Sequence, residues 1–148
     1  QYHGTTTLSF LHKDCVVLCI DSKASVGNYV GSRCVKKVFP VSKSIVATMA
    51  GGAADCAYWI RRVATAARGL EYKYSASLNA GAIARLLSSS LREYKGQGMC
   101  LSVGTMVAGY EDGTGPSLYY VDSDGACIEG SMFCVGSGSQ FAYAVMDT

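Results

Sequence analysis

Potential nucleophiles are plentiful in this sequence and conventional bases are scarce. Only two histidines occur, His3 and His12, so a Ser-His-Asp triad would have to take its base from beside a terminus or a turn. Gly136-Ser137-Gly138-Ser139 lacks the central serine of a G-x-S-x-G elbow and the third glycine of a dinucleotide loop. Asp122-Ser123-Asp124-Gly125 lacks the third acidic ligand and distant glutamate of a calcium loop and reads as a hairpin turn. Cysteines stand at 15, 19, 34, 56, 100, 127 and 134 with no C-x-x-C pair, which argues against a zinc site and against a disulfide framework. They read as buried, reduced thiols of an intracellular protein, and no metal or cofactor is expected. What remains is Gly4 followed by Thr5-Thr6-Thr7. Three threonines are ordinary strand formers. A cut between Gly4 and Thr5 would, however, place an α-amine beside the Thr5 hydroxyl, and such an amine, with an unperturbed pKa of roughly 7.7–8.0, accepts a proton near neutral pH.

The elements that would position such a threonine can be read from periodicity. Residues 6–10 alternate as a strand, His12-Lys13-Asp14 is a polar break, and Cys15–Ile20 is an apolar strand ending at Asp21, which together make a hairpin. Residues 22–32 are rich in small residues and read as a loop or a weak strand. A second hairpin is expected from residues 36–39 and 45–49, with Pro40 as the breaker and Gly51-Gly52 closing it. From 53 to about 68 the period becomes helical, with Ala54, Tyr58, Trp59, Val63 and Ala66 on one face and Gly69 as the stop. Asn79 caps a second helix to about Tyr94 carrying Ile83, Leu86, Leu87 and Leu91 on one side. Strands return at 101–110, 118–121 and 126–128, and a third helix begins near Gln140. Strands, two helices, strands and a helix, without strict alternation, predict antiparallel sheets layered with helices in an α+β protein.

Composition narrows the classes further. The chain has 148 residues, 49% hydrophobic and 16% charged, which suits one domain with a sizeable core and excludes a disordered chain. No stretch approaches the ~18 apolar residues of a membrane span. The net charge of +2 comes from scattered Lys and Arg, so neither nucleic acid nor a membrane is an expected partner.

Several motifs in register resemble the catalytic beta subunits of the 20S proteasome, most closely the chymotrypsin-like type, the fifth of seven. These are Gly4-Thr5-Thr6-Thr7-Leu8-Ser9-Phe10, Asp21-Ser22-Lys23-Ala24-Ser25, Val35-Lys36-Lys37-Val38, Thr48-Met49-Ala50-Gly51-Gly52-Ala53-Ala54-Asp55-Cys56 and Trp59. Gly104-Thr105-Met106, Leu118-Tyr119-Tyr120-Val121-Asp122, Val135-Gly136-Ser137-Gly138-Ser139 and Tyr143-Ala144-Val145-Met146-Asp147 follow in the same order. The resemblance implies an N-terminal-nucleophile hydrolase with a four-layer αββα sandwich. It implies Thr5 as nucleophile, Lys37 as the lysine beside it, Asp21 as the carboxylate holding that lysine, Gly51 N–H as the oxyanion hole and Ser137 as the serine near the threonine amine. For an S1 pocket it implies Ala24, Val35, Met49, Ala53 and Cys56, with Gly51, Ala53 and Ser25 pairing to an extended substrate through the main chain. Taken singly, Lys36 and Lys37 read equally as a solvated pair and Asp21 as a strand-end cap. If that stretch is a strand, alternation turns one of the two lysines inward, where it needs a charged partner such as Asp21.

The implied activity is threonine-type endoproteolysis after hydrophobic residues. Its implied setting is stacked seven-membered rings of alpha and beta subunits acting on unfolded polypeptide, in cytoplasm and nucleus. The alternative is an unprocessed, catalytically silent precursor or structural ring subunit; a bacterial-type two-ring protease is a weaker third. Residues 1–4 are expected to be a propeptide remnant cut at Gly4-Thr5, and residues 5–148 a single domain whose C-terminal part, with its supporting aspartate and serine, is missing. Two departures remain: Ser25 where threonine is usual, and Met99-Cys100 as an insertion in a helix-to-strand loop, expected to have no catalytic consequence.

Overall fold

In the computed structural model the described residues are 5–27, 29–98 and 100–147. The stretch 1–4 expected to be a propeptide remnant, Asn28 in the weak-strand segment and Met99 of the expected insertion lie outside them.

β1 (Thr6–His12) and β2 (Cys15–Ile20) form the first hairpin. The weak segment forms its own small hairpin, β3 (Ala24–Val26) and β4 (Tyr29–Ser32). β5 (Val38–Pro40) pairs with β6 (Ile45–Thr48), and β7 (Ala50–Gly51) follows directly. The strand expected from residue 36 therefore starts at Val38, and Pro40 ends it rather than breaking it. The six-stranded sheet is ordered β10-β9-β8-β6-β5 with β7 also on β8, so β5 is an edge strand, where a missing N–H costs no ladder bond.

α1 (Ala53–Tyr74) runs straight through Gly69 and stops at Ser75, in the left-handed conformation at φ 49°. Its buried face is Cys56, Trp59, Ile60, Val63, Ala64 and Ala67. That differs from the expected face: Ala54 and Ala66 lie outside, and Tyr58 is 53% exposed. α2 (Ala80–Gly96) begins as expected, with Asn79 Oδ1 accepting the Ala82 N–H at 2.8 Å. β8 (Val103–Glu111), β9 (Gly115–Asp122), β10 (Cys127–Glu129), β11 (Met132–Gly136) and α3 (Ser139–Met146) complete the described chain. β11 was not expected. It pairs with β1 to give a second sheet ordered β11-β1-β2.

The layers follow from β8, which is buried on both faces from Val103 to Gly109. Val103 and Val107 join the core beneath α1 and α2, with Trp59, Ile83, Leu87 and Leu91. Met106 and Ala108 face the other way, toward Leu11, Val16, Leu18 and Val135 of the second sheet. α3 packs on the outside of that sheet, against β11 and β1. The order α, β, β, α is the expected four-layer sandwich. Cysteine burial was misjudged, since only Cys56 and Cys134 are buried and Cys15, Cys19, Cys34 and Cys100 are exposed.

Candidate active site

Three segments distant in sequence meet at one end of the sandwich. Thr5 immediately precedes β1, Asp21 immediately follows β2, and Lys37 immediately precedes β5. Lys36 is exposed, whereas Lys37 is 3% exposed. The inward turn of one lysine thus holds even though the pair lies just ahead of the strand. Lys37 Nζ donates to Thr5 Oγ1 at 3.0 Å, to the Lys23 carbonyl at 2.7 Å and to both Asp21 oxygens at 2.9 Å. An ammonium has three N–H groups and no acceptor. Here one goes to the hydroxyl, one to the carbonyl and one is shared by the carboxylate, so the surroundings suit the cation and leave none of its donors idle.

Asp21 is held just as fully. Its Oδ1 accepts the Thr6 N–H at 2.9 Å and its Oδ2 the Lys23 N–H at 3.0 Å. Burial pushes its carboxyl pKa up, but the Thr6 N–H, the Lys37 ammonium and the Lys23 N–H outweigh this and hold it below its ordinary value. The Lys23 carbonyl and the Thr6 amide were invisible to sequence reasoning, because main-chain partners carry no side-chain signal.

The backbone of the nucleophile candidate is clamped from β11. Ser137 N–H donates to the Thr5 carbonyl at 2.9 Å, and Thr7 Oγ1 donates to the Val135 carbonyl at 3.1 Å. Gly136, at φ +111°, lies against the Thr5 carbonyl so closely that a Cβ there would run into it. Ser137 is therefore adjacent to Thr5, and its described contact is through the main chain to the threonine carbonyl.

Gly51 ends β7 opposite Val103. The next pair, Gly52 and Ser102, is hydrogen-bonded, Gly52 N–H to Ser102 carbonyl at 2.8 Å. Alternation along an antiparallel ladder then turns the Gly51 N–H away from β8. Its φ of +109° is open chiefly to glycine, and a Cβ would approach Ser102 O to 2.7 Å.

The expected pocket residues are distributed nearby. Met49 is buried, and its N–H donates to the Lys37 carbonyl at 2.9 Å. Half-buried Val35 packs on the same core cluster as Met49. Ala24 and Ser25 open β3 and are half-buried, and Ala53, the first residue of α1, is exposed. Cys56 requires a correction. At 0% exposure it offers no surface to a substrate and stands behind the wall. Its thiol donates to the Ala50 carbonyl at 3.3 Å, and burial pushes its pKa up to about 11.

Residues 1–148 match the Proteasome family, described as "Proteasome subunit". The chain is 47% identical over 145 residues to proteasome subunit beta type-5 of Gallus gallus, covering 98% of this chain and 56% of that protein. It is 45% identical over 146 residues to beta type-5 of Dictyostelium discoideum (99% and 53%) and 44% identical over 146 residues to beta type-8 of Canis lupus familiaris (99% and 52%). The chain spans about half the length of the curated relatives it matches. With its four-layer sandwich and its convergent threonine, lysine and aspartate, the chain belongs to the proteasome subunit family.

Proposed function

We propose that the protein is a threonine endopeptidase that cleaves polypeptide after large apolar residues, with Thr5 as its nucleophile. The observation that carries this is the Lys37 ammonium 3.0 Å from Thr5 Oγ1, with its remaining donors taken by Asp21 and the Lys23 carbonyl. A cation beside the hydroxyl favours its alkoxide form, as nearby positive charge favours any anion. The same cation is fully engaged as a donor and is poorly placed to accept a proton. The base in this reading is the Thr5 α-amine, which becomes free once the Gly4-Thr5 peptide bond is cut; while that bond is intact the nitrogen is a non-basic amide and the subunit is silent.

The amine takes the Thr5 proton as Oγ bonds to the scissile carbonyl carbon, and the carbonyl π pair moves to oxygen. Gly51 N–H stabilises that oxyanion, a contribution of about 2.7–4 kcal/mol for one such donor. The proton passes to the leaving amine, and water then hydrolyses the Thr5 ester. Ser137 orders the threonine from its carbonyl side. Ala24, Val35, Met49 and Ala53 line the S1 side, where small alanines leave depth and Met49 adapts to large apolar groups. Ser25, Gly51 and Ala53 add the substrate as a strand. The protein works assembled with other alpha and beta proteasome subunits in stacked rings, in cytoplasm and nucleus. Among the described residues no helix is long and apolar enough to cross a membrane.

The test is hydrolysis of a fluorogenic peptide with a large apolar P1 residue by the assembled full-length protein, together with N-terminal sequencing. The expected result is a mature chain starting at Thr5 and at least a thousand-fold loss of hydrolysis in Thr5→Ala. Activity surviving Thr5→Ala would refute the proposal.

A further inference from the structure

Gly51 is held from behind by a network that the mechanism above does not use. Ala50 C=O and Gly51 N–H belong to one planar peptide and point in opposite directions. Whatever fixes the Ala50 carbonyl therefore aims the Gly51 N–H. The Cys56 thiol donates to that carbonyl at 3.3 Å, and more weakly to the Ser102 carbonyl at 3.8 Å. The following peptide is fixed too, because Gly52 N–H donates to the Ser102 carbonyl at 2.8 Å. Ser102 is itself held by Asp55, whose Oδ2 accepts its N–H at 3.3 Å. Finally, Cys56 N–H donates to the Gly52 carbonyl at 2.9 Å, closing the ring of bonds onto α1. Gly51 cannot relax into a different backbone pose without breaking one of these, and Ser102 leaves no room for a side chain there.

We infer that Asp55 and Cys56, in the first turn of α1, are positioning residues for the oxyanion-stabilising N–H of Gly51, acting through Ser102 and Ala50. The inference rests on the proteolytic reading of the site. It gives Cys56 a different task from lining the pocket, one that a fully buried side chain can perform. A thiol with a pKa raised to about 11 stays a protonated donor throughout the physiological range. The inference also ties Ser102, at the end of the helix-to-strand loop, to the reaction.

The experiment compares Cys56→Ala with Cys56→Ser and Asp55→Ala with Asp55→Asn in the assembled full-length protein. Serine restores a donor to Ala50, and asparagine restores an acceptor for Ser102. Peptide hydrolysis is expected to fall about 5- to 30-fold in kcat for both alanine variants, with KM within two-fold, and to return to within three-fold of the parent for Cys56→Ser and Asp55→Asn. A peptide vinyl sulfone supplies the second readout. Thr5 Oγ adds to its β-carbon, the C=C bond opens and the α-carbon takes the proton, so no carbonyl oxyanion forms; all variants should react at the parent rate. Equal losses in hydrolysis and vinyl sulfone addition, or equal kcat in each alanine variant and its conservative counterpart, would overturn the inference. So would an alanine variant that fails to assemble while its counterpart assembles, which would make the residue a folding determinant. If instead Thr5→Ala retains hydrolysis and vinyl sulfone labelling, it is the proteolytic reading that falls.

Discussion

The Asp21 carboxylate joins three things that are otherwise independent: the start of β1 through Thr6 N–H, the turn at Lys23, and the Lys37 ammonium. Its loss should therefore show in both stability and chemistry. Removing one partner of a fully buried pair costs about 3–5 kcal/mol, but the Asp21 side chain is 35% exposed, and solvent screening reduces the expected cost to about 1–2 kcal/mol for Asp21→Asn. Denaturant melts check this figure, and hydrolysis should fall at least ten-fold because Lys37 is no longer anchored opposite Thr5. The pH dependence has a definite sign. A carboxyl whose folded pKa is lowered contributes stability that is fully present above its ordinary value of 3.8 and is lost as the pH falls through the lower folded value. Melts between pH 3 and pH 6 (roughly the range on either side of the ordinary carboxylate value) should show the parent losing its advantage over Asp21→Asn only at the acid end. An advantage that grew with acidity would contradict the geometry.

At the scale of elements, the hairpin β1–β2 and the Asn79 cap were legible because each has a local cause: alternation around a polar break, and a side-chain oxygen for an orphan N–H. Gly69 misled because its helix cost, about 1 kcal/mol, is a local quantity, whereas α1 buries six residues from Cys56 to Ala67 and continues regardless. The face of α1 misled because alanines fall on both sides of the helix, so periodicity could not distinguish Ala54 and Ala66 from Ala64 and Ala67. β11 was missed because Met132-Phe133-Cys134-Val135 is uniformly apolar and shows no alternation. The Gly69 error has a useful consequence. Space for a Cβ is open at this helical position, so Gly69→Ala should stabilise the fold by about 0.5–1 kcal/mol, read as a higher denaturant midpoint at unchanged m. A lower midpoint would show a contact that the open surface does not suggest.

Across the whole molecule, the α, β, β, α layers bury one core on each face of β8. The cysteines divide accordingly, and the sequence could not foretell this, since apolar neighbours in a strand say nothing about which face a residue takes. Native-state alkylation followed by peptide mass mapping should mark Cys15, Cys19, Cys34 and Cys100 on the isolated folded chain, and Cys56 only after denaturation. Early labelling of Cys56 would mean that the seam between α1 and β7 opens. The candidate site was also a whole-molecule property. No spacing links positions 5, 21 and 37; residue chemistry offered Asp21 to an inward lysine, but only the resemblance brought Thr5 to them, without the carbonyl of Lys23 or the brace at Ser102.

The convergence of these positions also sets when chemistry can begin. Lys37 meets Thr5 across 32 residues of sequence and Asp21 across 16. Neither contact can form before the β1–β2 hairpin has closed and the chain beyond β4 has returned to it. Such non-local contacts come late, after the loop entropy has been overcome. A nascent or half-collapsed chain consequently holds an ordinary, unreactive threonine. On the proposed mechanism, folding is thus a requirement that comes in addition to the cut at Gly4-Thr5: the hydroxyl meets its ammonium only in a molecule that has completed this part of the structure.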